Sequence, residues 1–163
     1  MPLAPASPHL ARLRDPKTVG NGTANRAVDI LLAHDSRYRR PSRAERQALL
    51  VGYAKRGKTL YGAAFDVIRL DADIDLADED AIAASLDAIT VCEIKSTNRL
   101  SVGIDLKGYF FNITAAEMLT AQSVGARYRF LFVNTLTGEH QEMSLNEVFG
   151  RARGMYPAWH IRF

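Results

Sequence analysis

With 163 residues, of which 47% are hydrophobic, the chain has material for one domain with a real core and too little for two. Its single cysteine, Cys92, excludes an internal disulfide and any multi-cysteine zinc site, fits a reducing cytoplasm, and reads as a small buried apolar residue. No run approaches membrane-spanning length and Met1 to Pro8 holds no signal-like apolar core, so a soluble, cytoplasmic protein without a membrane partner is expected. The net charge of +3 conceals a segregation: residues 1–60 hold twelve Lys or Arg against four Asp or Glu, and residues 61–90 hold one against eight. A basic first third of this kind suits a phosphate-backbone footprint, the plain alternative being a solvated helix face.

In chain order, residues 1–20 are rich in Pro and Ala without periodicity and are expected as a flexible arm ahead of one domain over 21–163. A first helix is predicted from Thr23, with Ala27, Ile30, Leu31 and His34 at helical spacing. Arg37 to Pro41 reads as a basic connector. Ser42-Arg43-Ala44-Glu45 has the form of a capping box and opens a second helix to about Tyr53, with Gly57 behind it. Thr59 to Leu70 reads as a strand carrying Asp66, followed by an acidic connector from Asp71 and a short helix over Asp80 to Leu86. Ile89 to Thr97 is a β-branched strand and Leu100 to Leu106 a weakly alternating third. Short links make these three an antiparallel meander. Thr114-Ala115-Ala116-Glu117 opens another capped helix, which Gly125 can close. Tyr128 to Val133 is an apolar strand of the central kind. Thr137-Gly138 turns the chain, Ser144 to Glu147 is a third capping box, and Trp159 to Phe163 is a candidate edge strand.

Gly52-Tyr53-Ala54-Lys55-Arg56-Gly57-Lys58-Thr59 satisfies the P-loop pattern, whose mechanism needs a strand before it and a helix after it. Here a capped helix precedes and a strand follows. Nucleotide binding is therefore the lesser reading, and Lys55, Arg56 and Lys58 are candidate DNA-phosphate contacts, together with Arg39, Arg40, Arg43, Asn98 and Arg99. The histidines at 9, 34, 140 and 160 lack metal-ligand spacing.

Within Ile89–Thr97, alternation places Glu93 and Lys95 on one face and Cys92 and Ile94 on the other. Two opposite charges inside so apolar a run need a reason, and a metal ion beside a phosphate supplies one. Asp66 interrupts the earlier apolar run Phe65-Asp66-Val67-Ile68 and is a candidate second carboxylate ligand. The structural alternative makes Asp66 a strand end or a turn cap and Glu93 with Lys95 a same-face ion pair on an exposed edge strand.

This constellation resembles the PD-(D/E)XK nuclease superfamily. Asp66 matches the signature Asp and Glu93-Ile94-Lys95 its Glu-x-Lys, with Phe65 where the signature has Pro. Tyr109 to Glu117 and Arg127 to Asn134 are similar to the later helix and strand of restriction-type members, so the likeness spans residues 59–135. It implies an α/β fold with a restriction endonuclease-like mixed β-sheet flanked by helices. It also implies a DNA endonuclease of restriction, defence or repair type that depends on Mg2+, with Mn2+ as a substitute. Asp66, Glu93 and the Ile94 carbonyl would hold the metal, and Lys95 would orient the attacking water or stabilise the phosphoryl oxygens. Glu45 is a candidate extra acidic ligand, since relatives often add one from an N-terminal helix, although its capping box already gives it a structural role. Homodimerisation is a further expectation of the family. The alternative from another class is a non-catalytic nucleic-acid-binding module on the same fold.

Overall fold

The nine residues Ile89–Thr97, mostly β-branched or apolar, form the longest strand, β3, with side chains buried on both faces over most of its length. In the computed structural model, which describes residues 16–103 and 105–156, β3 lies at the centre of a five-stranded sheet. The elements run α1 (Pro16–His34), β1 (Tyr38–Arg39), α2 (Arg43–Lys55), β2 (Val67–Leu70), α3 (Glu79–Ala84), β3, α4 (Ala115–Val124), β4 (Tyr128–Asn134), β5 (His140–Met143) and α5 (Leu145–Arg151). Spatial order follows chain order. Only β3 and β4 run parallel, joined through α4, and the other pairs are antiparallel. The result is a mixed α/β fold with helices against both faces of the sheet.

One face is the larger core, where Leu49 and Tyr53 of α2, Ile82 of α3, Ala121 and Val124 of α4 and Val148 of α5 pack on Ile68, Ile89, Val91, Phe130 and Phe132. The other is covered by Ala27, Val28 and Leu31 of α1 on Val67, Cys92, Ile94, Leu131 and Val133. Cys92 is buried, and its thiol is pushed up by burial. All three capping boxes form, at Ser42/Glu45, Thr114/Glu117 and Ser144/Glu147.

Four expectations need correction. Helix α1 starts at Pro16, so the last residues of the expected arm are helical; residues 1–15 and the candidate strand Trp159–Phe163 lie outside the described residues. The strand expected from Thr59 begins only at Val67. Ahead of it, side chains satisfy the backbone: the Thr59 amide donates to Ser123 Oγ, the Tyr61 amide to Thr120 Oγ1, and the carbonyls of Gly62 and Phe65 accept from Arg46. No strand forms among the described residues of 100–106, where Asn134 Nδ2 donates to the Arg99 and Val102 carbonyls and holds residues 99–103 in a turn. The Lys95 side of the sheet is completed by parallel β4, so the meander is β1–β2–β3 with β1 in the basic connector. Strands β1 and β5 are short and polar, with little apolar alternation to mark them.

The P-loop pattern takes a different shape from the loop it names. Gly52 to Lys55 lie in α2, and Gly57 makes the turn after it at φ +68°. Gly52 is small because α3 crosses there: a Cβ would meet Ile82 Cβ at 2.8 Å and the Glu79 carbonyl at 3.1 Å. Gly52→Ala is therefore expected to lower thermal stability. The helix-propensity gain of about 1 kcal/mol is offset by an overpacking cost of about 1–3 kcal/mol. A melting temperature at or above wild type would refute the close crossing.

Candidate active site

The pairing of β2 with β3 runs from Leu70 opposite Ile89 to Val67 opposite Cys92. One residue further, the Asp66 amide donates to the Cys92 carbonyl at 2.9 Å, while Asp66 Oδ2 accepts from the Ile94 amide at 2.9 Å. A carboxylate thus takes the place of a strand carbonyl where the two strands part. Glu93 and Lys95 project from the opposite face of β3 to Cys92 and Ile94, as alternation requires.

Lys95 Nζ donates to Glu93 Oε1 at 3.0 Å and to Glu117 Oε2 at 2.8 Å. The three side chains are 11%, 12% and 5% exposed, so this is a buried cluster and not a surface ion pair. The exposed-edge alternative does not hold, since β3 is central. Glu117 is held from behind, its Oε2 also accepting the Thr114 amide at 3.1 Å within the capping box of α4. Sequence reading missed this residue as part of the site. Its position three residues after Thr114 accounts for it as a cap, and no local signal points across space to Lys95.

A second cation supports the same corner. Arg46 of α2 donates from one nitrogen to the Gly62 and Phe65 carbonyls at 2.7 and 2.8 Å, with its guanidinium 4.1 Å from the Phe65 ring centroid. The Tyr128 hydroxyl donates to the Ala64 carbonyl. Burial raises the Tyr128 hydroxyl, and the negative charges of Glu93, Glu117 and Asp66 raise it further. The segment 62–66 is therefore held by side chains from α2 and β4.

Glu93 is the most perturbed carboxyl. Burial pushes it up to about 8, repulsion from Asp66 and Glu117 adds to the rise, and Lys95 opposes it. The charges of Asp66 and Glu117 thus bear on the buried Glu93, with Lys95 as the opposing cation. Neither Asp66 Oδ1 nor Glu93 Oε2 accepts a hydrogen bond from any described residue. Free hard oxygens under mutual repulsion fit a divalent cation. Among the described residues no three His, Cys, Asp or Glu side chains form a ready-made metal cage. That donor set suits Mg2+, which commonly takes one or two carboxylates and fills its other positions with water and substrate phosphate.

The shift makes a pH prediction. The unfolded chain releases the Glu93 proton near the ordinary 4.5, whereas the folded chain retains it to about 8. In chelator, the stability this proton contributes is complete below the lower value and is lost as pH rises to the upper one. Thermal melts from acid to alkaline pH should show that decline, and Glu93→Gln should flatten it. A wild-type profile no steeper than that of the variant would show that Glu93 is already ionised.

The remaining candidates divide by partner. Glu45 accepts the Ser42 amide at 2.7 Å and Arg39 at 2.9 Å, so both its oxygens serve the helix cap and its neighbour. Arg40 donates to Asn25, and Lys55 pairs with Glu79 and Asp80. Arg43, Arg56, Lys58, Asn98 and Arg99 are exposed, with no side-chain partner among the described residues. No helix among the described residues is long and apolar enough to cross a membrane. Comparison with known proteins finds no match: no family model, no curated protein and no solved structure is similar to the chain.

Proposed function

We propose that the protein is a metal-dependent DNA phosphodiesterase, specifically an endonuclease of the PD-(D/E)XK kind with a restriction endonuclease-like fold. The observation that carries this reading is Asp66, bonded at the parting of β2 and β3 to the Ile94 amide between Glu93 and Lys95, beside the buried Glu93–Lys95–Glu117 cluster. Asp66, Glu93 and the Ile94 carbonyl are the groups that would hold Mg2+ or Mn2+. The bound cation would supply charge to polarise the scissile phosphate and favour ionisation of the attacking water.

Lys95 contributes a fixed ammonium. Held between the Glu93 and Glu117 side chains, it is aimed, able to orient a water or to face charge developing on the phosphoryl oxygens. Glu117 acts through Lys95 as a positioning residue. Arg43, Arg56, Lys58 and Arg99 are exposed cations with no side-chain partner among the described residues, able to meet backbone phosphates.

One observation favours a second reading, a non-catalytic nucleic-acid-binding module. Lys95 is already engaged by two carboxylates, and buried pairs of this sort also occur for purely structural ends. The two readings separate on hydrolysis. Incubated with a random-sequence duplex pool, which avoids dependence on one recognition site, the protein should cleave with Mg2+ or Mn2+ and stop in excess chelator. Ca2+ should permit binding with little cleavage. Binding without cleavage under every cation would favour the module, and full cleavage in chelator would remove the metal mechanism.

A further inference from the structure

Beyond Lys95, β3 ends in Ser96-Thr97 and passes into Asn98-Arg99. These four residues, with Tyr109, Phe110 and Thr23 of α1, line an open cavity of about 310 Å³, the size of a small-ligand pocket. Its walls are held by hydrogen bonds. Tyr109 donates its hydroxyl to the Ser96 carbonyl at 2.6 Å, and the Thr97 carbonyl accepts from both the amide and the hydroxyl of Thr135 at 2.8 and 3.1 Å. Asn134 Nδ2 holds the Arg99 and Val102 carbonyls at 3.0 and 2.9 Å.

Phe110 is placed by its neighbours. The rings of Tyr109 and Phe111 both pack against Phe132, with centroids 6.1 and 4.8 Å away. With its two neighbours packed inward, the intervening side chain is left on the outside. Phe110 is accordingly 74% exposed, a flat aromatic face on an anchored segment. Beside it, the Asn98 amide and the Arg99 guanidinium have no partner among the described residues. The cavity begins on the same strand as Lys95, with Asn98 roughly 10 Å further along at the rise of an extended chain. That is the reach of a nucleotide or two from a phosphate at the carboxylate cluster.

We infer that this cavity receives one unpaired nucleobase of the DNA, stacked on Phe110 and hydrogen-bonded by Asn98, with Arg99 on an adjoining phosphate. The inference rests on the nucleic-acid reading above. An aromatic face suits the flat of a base, an uncommitted amide its hydrogen-bonding edge, and a free guanidinium a phosphate.

The test is binding in chelator, so that no cleavage is needed. Three hairpin duplexes are compared: fully paired, with a single bulged 2-aminopurine, and with an abasic residue at the bulge. The wild type should bind the bulged base at least about fivefold more tightly than the paired duplex, the lower end expected for one stacked base. The abasic hairpin should lose that advantage. Phe110→Ala, a change at an exposed side chain, should abolish the preference and the quenching of 2-aminopurine fluorescence while leaving paired-duplex affinity unchanged. Equal affinity of wild type for all three hairpins, or a preference that survives Phe110→Ala, overturns the pocket. A Phe110-dependent preference without cleavage under any cation supports the pocket and removes the nuclease. Cleavage without the preference removes the pocket alone.

Discussion

Asp66→Asn is expected to eliminate DNA cleavage while raising, not lowering, thermal stability. The substitution keeps an oxygen able to accept the Ile94 amide, so the corner where β2 and β3 part retains its bond. What it removes is one negative charge beside Glu93, whose carboxyl is pushed up by burial and then by Asp66 itself. Relief of that repulsion lowers the cost of ionising Glu93 in the fold. Cleavage should fall by more than about a hundredfold, the scale of losing one preorganised charge-bearing group. Loss of activity combined with a gain in melting temperature is the mark of a site built for a ligand. Retained cleavage would dismiss Asp66 as a ligand, and lost stability would make it a structural cap.

Lys95→Ala should also abolish cleavage, but here the fold suffers. From the sequence this variant is expected to keep its fold, as a truncated functional side chain usually does. The structure changes that expectation, because Lys95 is the buried cation between Glu93 and Glu117. Removing it leaves two carboxylates without their partner, a loss of about 3–5 kcal/mol for buried pairs. The informative comparison is therefore the double variant Lys95→Met with Glu117→Gln. Neutral at both positions, it should regain most of the stability of the single variant in denaturant titration and none of its cleavage. Recovery of cleavage in the double variant would reduce Lys95 to a structural ion-pair member.

The parts of this site legible in the sequence were those with short-range causes. Strand β3 was readable to the residue, because its β-branched and apolar run, interrupted only by Glu93, Lys95 and Ser96, leaves no competing period. The three capping boxes were readable for the same reason, each being a pattern of four residues. Segment 59–66 and segment 100–106 misled because their backbone groups are satisfied by distant side chains, Arg46, Ser123 and Thr120 for the first and Asn134 for the second. Glu117 shows the same limit at the site itself, since a local role hid a long-range one. The basic first third was legible as charge, but not as availability: Arg39 and Lys55 are paired with acidic neighbours, whereas Arg43, Arg56 and Lys58 are free among the described residues.

Arg46 has a consequence for how the site would respond to its surroundings. A guanidinium does not give up its proton in the range where Glu93 changes charge. Its two bonds to the Gly62 and Phe65 carbonyls act as a permanent clasp on the segment leading to Asp66. Acid and alkali would thus alter how much charge the corner carries without altering where Asp66 stands. The electrostatics of the cluster are adjustable, and its frame is not.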